Sequence, residues 1–257
     1  MTGLFSDTLT AAAMFCAGAL SGSFFRCIGE RMAHGKDWIK GRSECNACGH
    51  RLPAYDLIPI ISYLFLKGRC RFCGSPIPLK CLSAEILSGI YYLLVLMRFG
   101  IGAETLRCCV LSGLLLGISA ADSEVYEIPD ELILAGIGFW IMTVPFAEQP
   151  LRREVLSGLS GGLLIAGGML GFSLIFEKIT GTESLGGGDI KLLFMTGLFL
   201  GPVRGFAGLI LSCVFGLLSA AVSGRSKIPF GPSISAAVCL MMLYGADIAA
   251  WYFRMLD

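Results

Sequence analysis

Charged residues are scarce in this sequence. Only 15% of its 257 residues are Asp, Glu, Lys or Arg, whereas an ordinary soluble domain carries roughly 25%. Hydrophobic residues make up 55% of the chain, and its mean hydropathy is +0.74. This composition disfavours a soluble enzyme, a secreted disulfide scaffold and a nucleic-acid-binding domain. It is typical of a protein that crosses a membrane several times.

Basic residues are missing from the N-terminal end. Residues 1–7 contain no Lys or Arg, and the positive charges follow the first apolar run. A cleavable signal peptide has the opposite order, with its positive charges before the apolar segment. We therefore expect the first run to be a retained membrane anchor whose N-terminus lies outside the cytoplasm.

A nucleotide-binding fingerprint is also missing. Residues 26–81 contain no strand–turn–helix unit with the pattern G-x-G-x-x-G. Six glycines do cluster within one apolar run, at positions 158, 161, 162, 167, 168 and 171. We interpret them as helix-packing positions, with a cofactor-binding loop as the alternative.

Eight apolar runs account for the hydrophobic composition. They occupy residues 8–25, 82–97, 108–121, 132–147, 155–176, 190–201, 205–222 and 231–253. The runs 108–121 and 190–201 are shorter than the ~20 residues that a full span normally needs. The pattern predicts an all-α polytopic membrane protein with about eight transmembrane helices. It divides into a first transmembrane helix (1–25), a cytoplasmic cysteine-rich domain (26–81) and a seven-helix membrane domain (82–257).

The distribution of positive charge predicts the orientation in the membrane. Ten of the 20 Lys and Arg residues lie between Arg26 and Lys80, with only four acids among them. Basic residues mark the cytoplasmic side, so this segment is expected inside the cell. Eight spans then place both termini outside, and the loops near 122–131, 177–189 and 223–230 inside.

Four cysteines in the basic segment form a repeated pattern. Residues 45–53 and 70–78 both read C-x-x-C-G-x-x-[L/I]-P, so two C-x-x-C pairs lie 21 residues apart. This spacing predicts a structural Zn²⁺ site with Cys45, Cys48, Cys70 and Cys73 as ligands. Two disulfides and redox-active pairs are the alternatives, although a cytoplasmic segment is a reducing setting. His50 is an alternative ligand and otherwise a solvated loop residue.

Two aspartates at the ends of apolar runs are the candidate catalytic residues. Asp122 follows the run that ends at Ala121, and Asp189 follows three consecutive glycines at the start of another run. The predicted topology places both at the cytoplasmic edge of the membrane. Two facing carboxylates do not both ionise cheaply, so one supplies an acid and the other a base. The alternative is that these acids only cap helices or pair with Lys178 or Lys191.

Taken together, these motifs resemble the type IV prepilin peptidase family, the bifunctional leader peptidase/N-methyltransferases. The first run ends in Gly22-Ser23-Phe24, and the cysteine pairs flank a segment that contains Tyr55-Asp56. The segment 122–130 matches D-x5-[I/L]-P-D, and 186–189 matches G-x-G-D. The residues Ile228 to Pro232 match a late loop of the family. The resemblance covers nearly the whole chain.

The resemblance implies an aspartic endopeptidase of a bacterial inner membrane, with Asp122 and Asp189 as its catalytic pair. Glu124 and Asp130 share the first motif and are expected to shape the loop or to contact substrate. The family removes the basic leader from prepilins or pseudopilins after a glycine, at the cytoplasmic face. It then methylates the new N-terminus with S-adenosylmethionine, for which the motifs indicate no binding residues here.

Two other functions fit parts of the pattern. A transporter or channel would use Asp122 and Asp189 as a cation relay, which suits intramembrane acids and glycine-broken spans. A zinc-ribbon scaffold that assembles other membrane components would not need the two aspartates. The sequence predicts neither the oligomeric state nor the pilus or secretion system that the protein serves, and nothing in it indicates nucleic-acid binding.

Overall fold

The computed structural model describes residues 2–38, 40–147, 149–181, 185–224 and 228–256. These ranges contain helices joined by loops and no strand, which confirms the predicted all-α class. Eight α-helices lie in the described ranges: α1 Thr2–Ala33, α2 Ile61–Phe65, α3 Leu79–Phe99, α4 Ala103–Val125, α5 Asp130–Thr143, α6 Leu151–Thr180, α7 Gly187–Ser223 and α8 Gly231–Leu256.

Six of the helices are long and apolar enough to cross a membrane, namely α1, α3, α4, α6, α7 and α8. Large apolar side chains on these helices stay exposed, among them Ile179 at 78% and Val222 at 89%. Such extensive apolar surface indicates contact with lipid rather than water. The chain is therefore a multi-pass membrane protein.

Eight apolar runs correspond to only six long helices, because one run forms the short helix α5 and two runs lie within the single helix α7. Helix α5 takes up most of the run 132–147 but has only 14 residues and ends at Thr143. Helix α7 covers two runs, because its backbone breaks at Gly201 (φ 71°, ψ −178°) before Pro202. Its 37 residues span roughly 55 Å, well beyond the ~30 Å hydrocarbon layer. Two successive helical segments, 187–200 and 202–223, are thus joined at this break.

The chain forms two compact units, residues 1–101 and 102–257. In the first unit, α1 packs against α3 at positions where a side chain would not fit. A Cβ on Gly18 would lie 2.5 Å from the Ser88 carbonyl oxygen, and one on Gly22 would lie 2.7 Å from the Ala84 carbonyl oxygen. The cysteine-rich segment lies between these two helices in sequence. Its boundaries at residues 26 and 81 stay a prediction.

In the second unit, α7 packs against α5, α6 and α8, and α8 also packs against α4. The backbones of α6 and α7 touch directly, at glycines that leave no room for a side chain. A Cβ on Gly161 would lie 2.5 Å from the Gly201 carbonyl carbon, and one on Gly197 would lie 2.7 Å from the Gly162 Cα. Gly158 is equally crowded, whereas positions 167, 168 and 171 have open space. The packing interpretation therefore fits three of the six clustered glycines.

Candidate active site and metal site

Asp122 and Asp189 lie at the same end of the second unit. Asp122 is in the last turn of α4, and Asp189 is in the first turn of α7. The two carboxyl groups are close enough for their charges to interact. The structure thus brings together the two aspartates that the sequence singled out, although they are 67 positions apart.

The Asp122 carboxylate is held by the start of α8. Its residue is 5% exposed, and its Oδ2 accepts a 2.7 Å hydrogen bond from the Gly231 backbone N–H. The first N–H groups of a helix have no partner within the helix and carry partial positive charge. The capping alternative is therefore partly correct, since Asp122 caps α8 with one oxygen. Its other oxygen is not used in this contact.

Asp189 is held differently. It lies in the first turn of α7, where the helix dipole favours a negative charge. Its Oδ1 atom is buried and has no hydrogen-bond partner within the described part of the chain. A buried polar atom without a partner is uncommon in folded proteins and is frequent at reactive sites.

Three glycines directly precede Asp189. A Cβ on Gly187 would meet nothing within 4 Å, whereas one on Gly188 would lie 3.1 Å from the Ile128 Cβ. Gly188 therefore lets α7 approach the loop after α4, and Gly186 lies beside the carboxylate, where a Cβ would be 3.4 Å from the Asp189 Oδ2. An extended peptide fits such space more easily than a helix does.

The lysine alternative is not seen among the described residues, where neither aspartate forms an ion pair with Lys178 or Lys191. Lys191 instead donates to both carboxylate oxygens of Asp130 at 2.8 Å. Both partners of this pair are more than half exposed. The pair joins the first turn of α5 to the first turn of α7. Glu124 is exposed near the end of α4.

Four cysteine sulfurs meet in the first unit. The Sγ atoms of Cys45, Cys48, Cys70 and Cys73 all lie within 4.8 Å of one another. A tetrahedral Zn²⁺ with Zn–S bonds of ~2.3 Å separates its sulfurs by roughly 3.8 Å. The Cys45 and Cys73 sulfurs are 3.8 Å apart. The set therefore fits a tetrahedral metal site.

The two cysteine pairs fold alike, as their shared pattern predicts. The Gly49 N–H donates to the Cys45 carbonyl, and the Gly74 N–H donates to the Cys70 carbonyl, at 2.8 and 2.9 Å. Both glycines have positive φ, 68° and 70°, a conformation that residues with a Cβ rarely adopt. The glycine in each pattern is thus explained by the turn.

The protonation of the cysteines favours a cation among them. The backbone N–H groups of Cys48 and Ala47 lower the pKa of Cys45 to about 6. The His50 backbone favours the Cys48 thiolate, but burial and the neighbouring sulfurs outweigh it and raise the pKa of Cys48 to about 11. Four thiolates this close repel one another, and a divalent cation relieves that repulsion.

Side chains around the metal site are fixed by two further contacts. Arg71, within the second pair, donates to both Asp56 oxygens, the shorter distance being 2.6 Å. This hydrogen-bonded guanidinium lowers the pKa of Asp56. The His50 ring packs on Phe72 with centroids 3.5 Å apart. His50 is not one of the clustered ligands, so the alternative of a histidine ligand is not supported.

The all-helical membrane fold, with two aspartates at one end and a cysteine cluster near the other terminus of the chain, is matched by known membrane peptidases. A family described as "Bacterial Peptidase A24 N-terminal domain" matches residues 16–99, and the "Type IV leader peptidase family" matches residues 109–221. The chain belongs to the type IV prepilin peptidase family, as the resemblance implied.

Several relatives carry the name prepilin leader peptidase/N-methyltransferase. The one from Bacillus subtilis is 32% identical over 249 residues, which covers 94% of this chain and 97% of the relative. The Aeromonas hydrophila relative is 32% identical over 225 residues, covering 82% and 74% of the two chains. The Pseudomonas putida relative is 28% identical over 83% of this chain and 76% of its own. No solved structure matches significantly.

Sequence reasoning missed two features of the site. The Gly231 contact with Asp122 joins residues 109 positions apart, and only the family resemblance of residues 228–232 singled out that loop. The Asp130–Lys191 pair joins residues 61 positions apart. Opposite charges at the starts of two apolar runs were the available signal, but nothing in the local pattern indicates that these runs are neighbours.

Proposed function

We propose that this protein removes the basic leader from type IV prepilins or pseudopilins and then methylates the new N-terminus. Cleavage follows a glycine at the cytoplasmic face, and Asp122 and Asp189 activate the attacking water. The observation that carries the proposal is the meeting of these two carboxylates at one end of α4 and α7, in a chain of the leader peptidase family.

The chemistry divides between the two carboxyl groups. The ionised group takes a proton from water, whose oxygen attacks the carbonyl carbon of the scissile bond. The protonated group donates its proton to the carbonyl oxygen as the tetrahedral intermediate forms. When the intermediate collapses, the group that took the water proton gives it to the leaving nitrogen as the C–N bond breaks, and the other group takes a proton back from a hydroxyl of the intermediate, so that a carboxylic acid and an amine result.

The starts of α7 and α8 support this division. Both present partial positive charge beside the carboxylates, because their first N–H groups lack partners within the helix. The Gly231 N–H stabilises the charged form of Asp122. Positive potential placed in advance beside developing negative charge is a major source of catalysis in enzymes.

Zn²⁺ is proposed as a structural ion held by Cys45, Cys48, Cys70 and Cys73. Four sulfurs complete its coordination, so no position remains for a substrate or water. The ion would link the two cysteine turns and stabilise a segment with few buried apolar side chains. The predicted cytoplasmic domain (26–81) is part of this proposal.

The proposal that this protein transfers a methyl group is supported only by its membership of the family. S-adenosylmethionine would supply the methyl group, but no strand–turn–helix nucleotide site occurs in the described ranges of this helical chain. The described residues therefore indicate no binding site for this cofactor, and the cleavage step does not involve it.

Mass spectrometry of a prepilin incubated with purified protein and S-adenosylmethionine tests the proposal. The wild-type protein should release the leader and leave a product that is heavier by one methyl group. Asp189→Asn should leave the prepilin intact, whereas Glu177→Gln, which changes an exposed acid in the last turn of α6, should cleave it normally. Normal cleavage by Asp189→Asn would refute the role of Asp189, and an intact substrate with every protein and several prepilins would favour the transporter alternative.

A further inference from the structure

Apolar side chains are exposed around the short helix α2 of the first unit. Ile61, Leu64 and Phe65 are 52%, 65% and 84% exposed, and Leu57 and Ile58, just before α2, are exposed as well. We name these five residues the α2 patch. Exposed apolar side chains that lie together mark a surface that binds a protein, a ligand or a membrane.

A hydrogen bond fixes the start of α2 beside α3. The Ile60 N–H donates to the Glu85 Oε2 at 2.7 Å, and Glu85 is a buried residue in the second turn of α3. Ile60 has a φ of 62°, a conformation that a β-branched residue adopts only where its surroundings hold it. The α2 patch therefore lies beside the first two turns of α3 and not far above its end.

The first turns of α3 lie at the edge of the membrane. With 21 residues, α3 is roughly 31 Å long, which is about the thickness of the ~30 Å hydrocarbon layer. A helix that only just spans this layer has its first turns where the lipid tails meet the headgroups. Leu79, the first residue of α3, is already 71% exposed, so the lipid-facing surface begins at this turn. The α2 patch is therefore at the level of the membrane surface.

The charge around α2 has one sign. Residues 57–84 contain four basic residues and no acid. Arg71 is paired with Asp56. Lys67 and Arg69, which directly follow α2, are exposed and form no ion pair in the described ranges. Apolar side chains next to unpaired basic ones fit a membrane surface with anionic lipids, because the tails take up the former and the phosphates attract the latter.

We infer that the α2 patch inserts into the membrane surface beside α3 and that Lys67 and Arg69 bind the phosphate groups of anionic lipids there. Helix α2 then anchors the cysteine-rich segment against the bilayer. The inference requires only that α1 and α3 cross the membrane, so it does not depend on the proposed cleavage. A basic peptide or a second copy of this surface is a poor occupant, because Lys67 and Arg69 repel like charge.

Photo-crosslinking of the complete protein in lipid nanodiscs tests the insertion. Benzoylphenylalanine replaces Phe65, which is itself aromatic and 84% exposed, and the discs contain equal amounts of phosphatidylcholine and phosphatidylglycerol. After irradiation, mass spectrometry identifies the molecules attached to the probe. Most adducts should be on lipid, as they should be for the same probe at Leu87, a 65% exposed residue further along α3.

The class of lipid in the adducts tests the role of the basic residues. One basic side chain near an anionic surface changes binding by about 5-fold, so the adducts of the Phe65 probe should be enriched in phosphatidylglycerol by about this factor. Lys67→Gln/Arg69→Gln should return the lipid ratio to that of the disc. The matched control Arg152→Gln/Arg153→Gln removes two exposed basic residues at the start of α6 and should leave the enrichment unchanged. This ratio does not depend on the crosslinking yield.

Adducts of the Phe65 probe mainly on another part of the chain or on a second copy, or far fewer lipid adducts than at Leu87, would overturn the insertion of the α2 patch. A lipid ratio equal to that of the disc before any charge is removed, or an enrichment that survives Lys67→Gln/Arg69→Gln, would overturn phosphate binding by these two residues. Neither readout involves cleavage, so failure of the proposed function would leave both results unchanged.

Discussion

At the scale of single residues, the two candidate catalytic carboxylates are held in different ways. Asp122 is nearly buried and uses one oxygen to accept the Gly231 N–H. Asp189 is partly exposed, and its buried Oδ1 has no partner within the described residues. Asp122 is held in a fixed position by the Gly231 N–H, and each of the two carboxyl groups keeps one oxygen outside this contact for proton transfer.

Gly231 is expected to position Asp122. A Cβ at this residue would lie 2.7 Å from the Asp122 Oδ2, so Gly231→Ala displaces the carboxylate. A displacement of about 1 Å in an active site can cost ~10²-fold in rate. We expect kcat to fall by about this factor while KM for prepilin changes little, as measured in steady-state cleavage assays.

Gly168→Ala is the matched control for this substitution. It makes the same change in a helix, at a position where a Cβ meets nothing within 4 Å. Its kcat should stay at the wild-type value. If Gly231→Ala raised KM and left kcat unchanged, Gly231 would act on substrate binding rather than on Asp122.

The sequence allowed the two aspartates to be singled out, but not the groups that hold them. An ionisable residue at the end of an apolar run is conspicuous because its burial is costly. Gly231 has no such signature, since its contribution is a backbone N–H that every residue but proline has. Its importance depends on the approach of α8 to α4, which only the folded chain reveals.

At the scale of helices, close backbone contact joins α6 to α7. We expect Gly161→Ala to destabilise the protein, because the added Cβ would lie 2.5 Å from the Gly201 carbonyl carbon. Inserting a methyl group into a filled contact typically costs about 1–3 kcal/mol. Unfolding in detergent by increasing denaturant measures this loss.

Gly167→Ala makes the same change six residues along α6, where space is open. It should leave stability unchanged or raise it slightly, because alanine favours helix more than glycine does. Equal destabilisation by both variants would mean that Gly161 matters for the α6 backbone and not for its contact with α7.

Metal removal is expected to unfold the cysteine-rich segment locally. Purified protein should contain one Zn²⁺ per chain, and Cys73→Ser or a strong chelator should remove it. Without the ion, four clustered sulfurs repel or oxidise, so hydrogen exchange should accelerate over residues 43–77. Cys16→Ser, which changes an exposed cysteine in α1, should retain the metal and the protection. Slow exchange in the metal-free protein would contradict a structural role.

The helices themselves were largely predictable from apolar runs. Hydrophobicity indicates which segments enter the membrane, because unpaired backbone groups are too costly there in any form but a helix. It does not indicate that the runs 190–201 and 205–222 continue as α7 through a break at Gly201. The Gly-Pro pair was the local signal, and the approach of Ser157 of α6 to Gly201 explains why only a glycine fits.

At the scale of the whole molecule, the cysteines and the aspartates belong to different units of the chain. We therefore expect loss of the metal to affect the two activities unequally. Cys45→Ser or Cys70→Ser should impair N-methylation much more than leader cleavage, as measured by mass spectrometry of the same product mixture. Equal loss of both activities at normal protein levels would contradict this separation.

The membrane class, the cysteine cluster and the family could all be inferred from the sequence, because each depends on local composition or on short motifs in order. The apolar cavity bordered by α5, α6 and α7 could not be inferred, because its lining residues come from three separate runs. Ordinary aliphatic residues such as Ile133 and Ala166 carry no sign of this arrangement.

The most direct test of the aspartic mechanism is a double-mutant cycle on single-turnover cleavage of a prepilin by the Asp122→Asn, Asp189→Asn and double variants. Two groups that act as one unit lose the same activity whether one or both are removed. We predict that each single variant loses about 10²–10⁴-fold in rate and that the double variant is no slower. Near-normal cleavage by either single variant, or losses that multiply in the double variant, would contradict the catalytic pair.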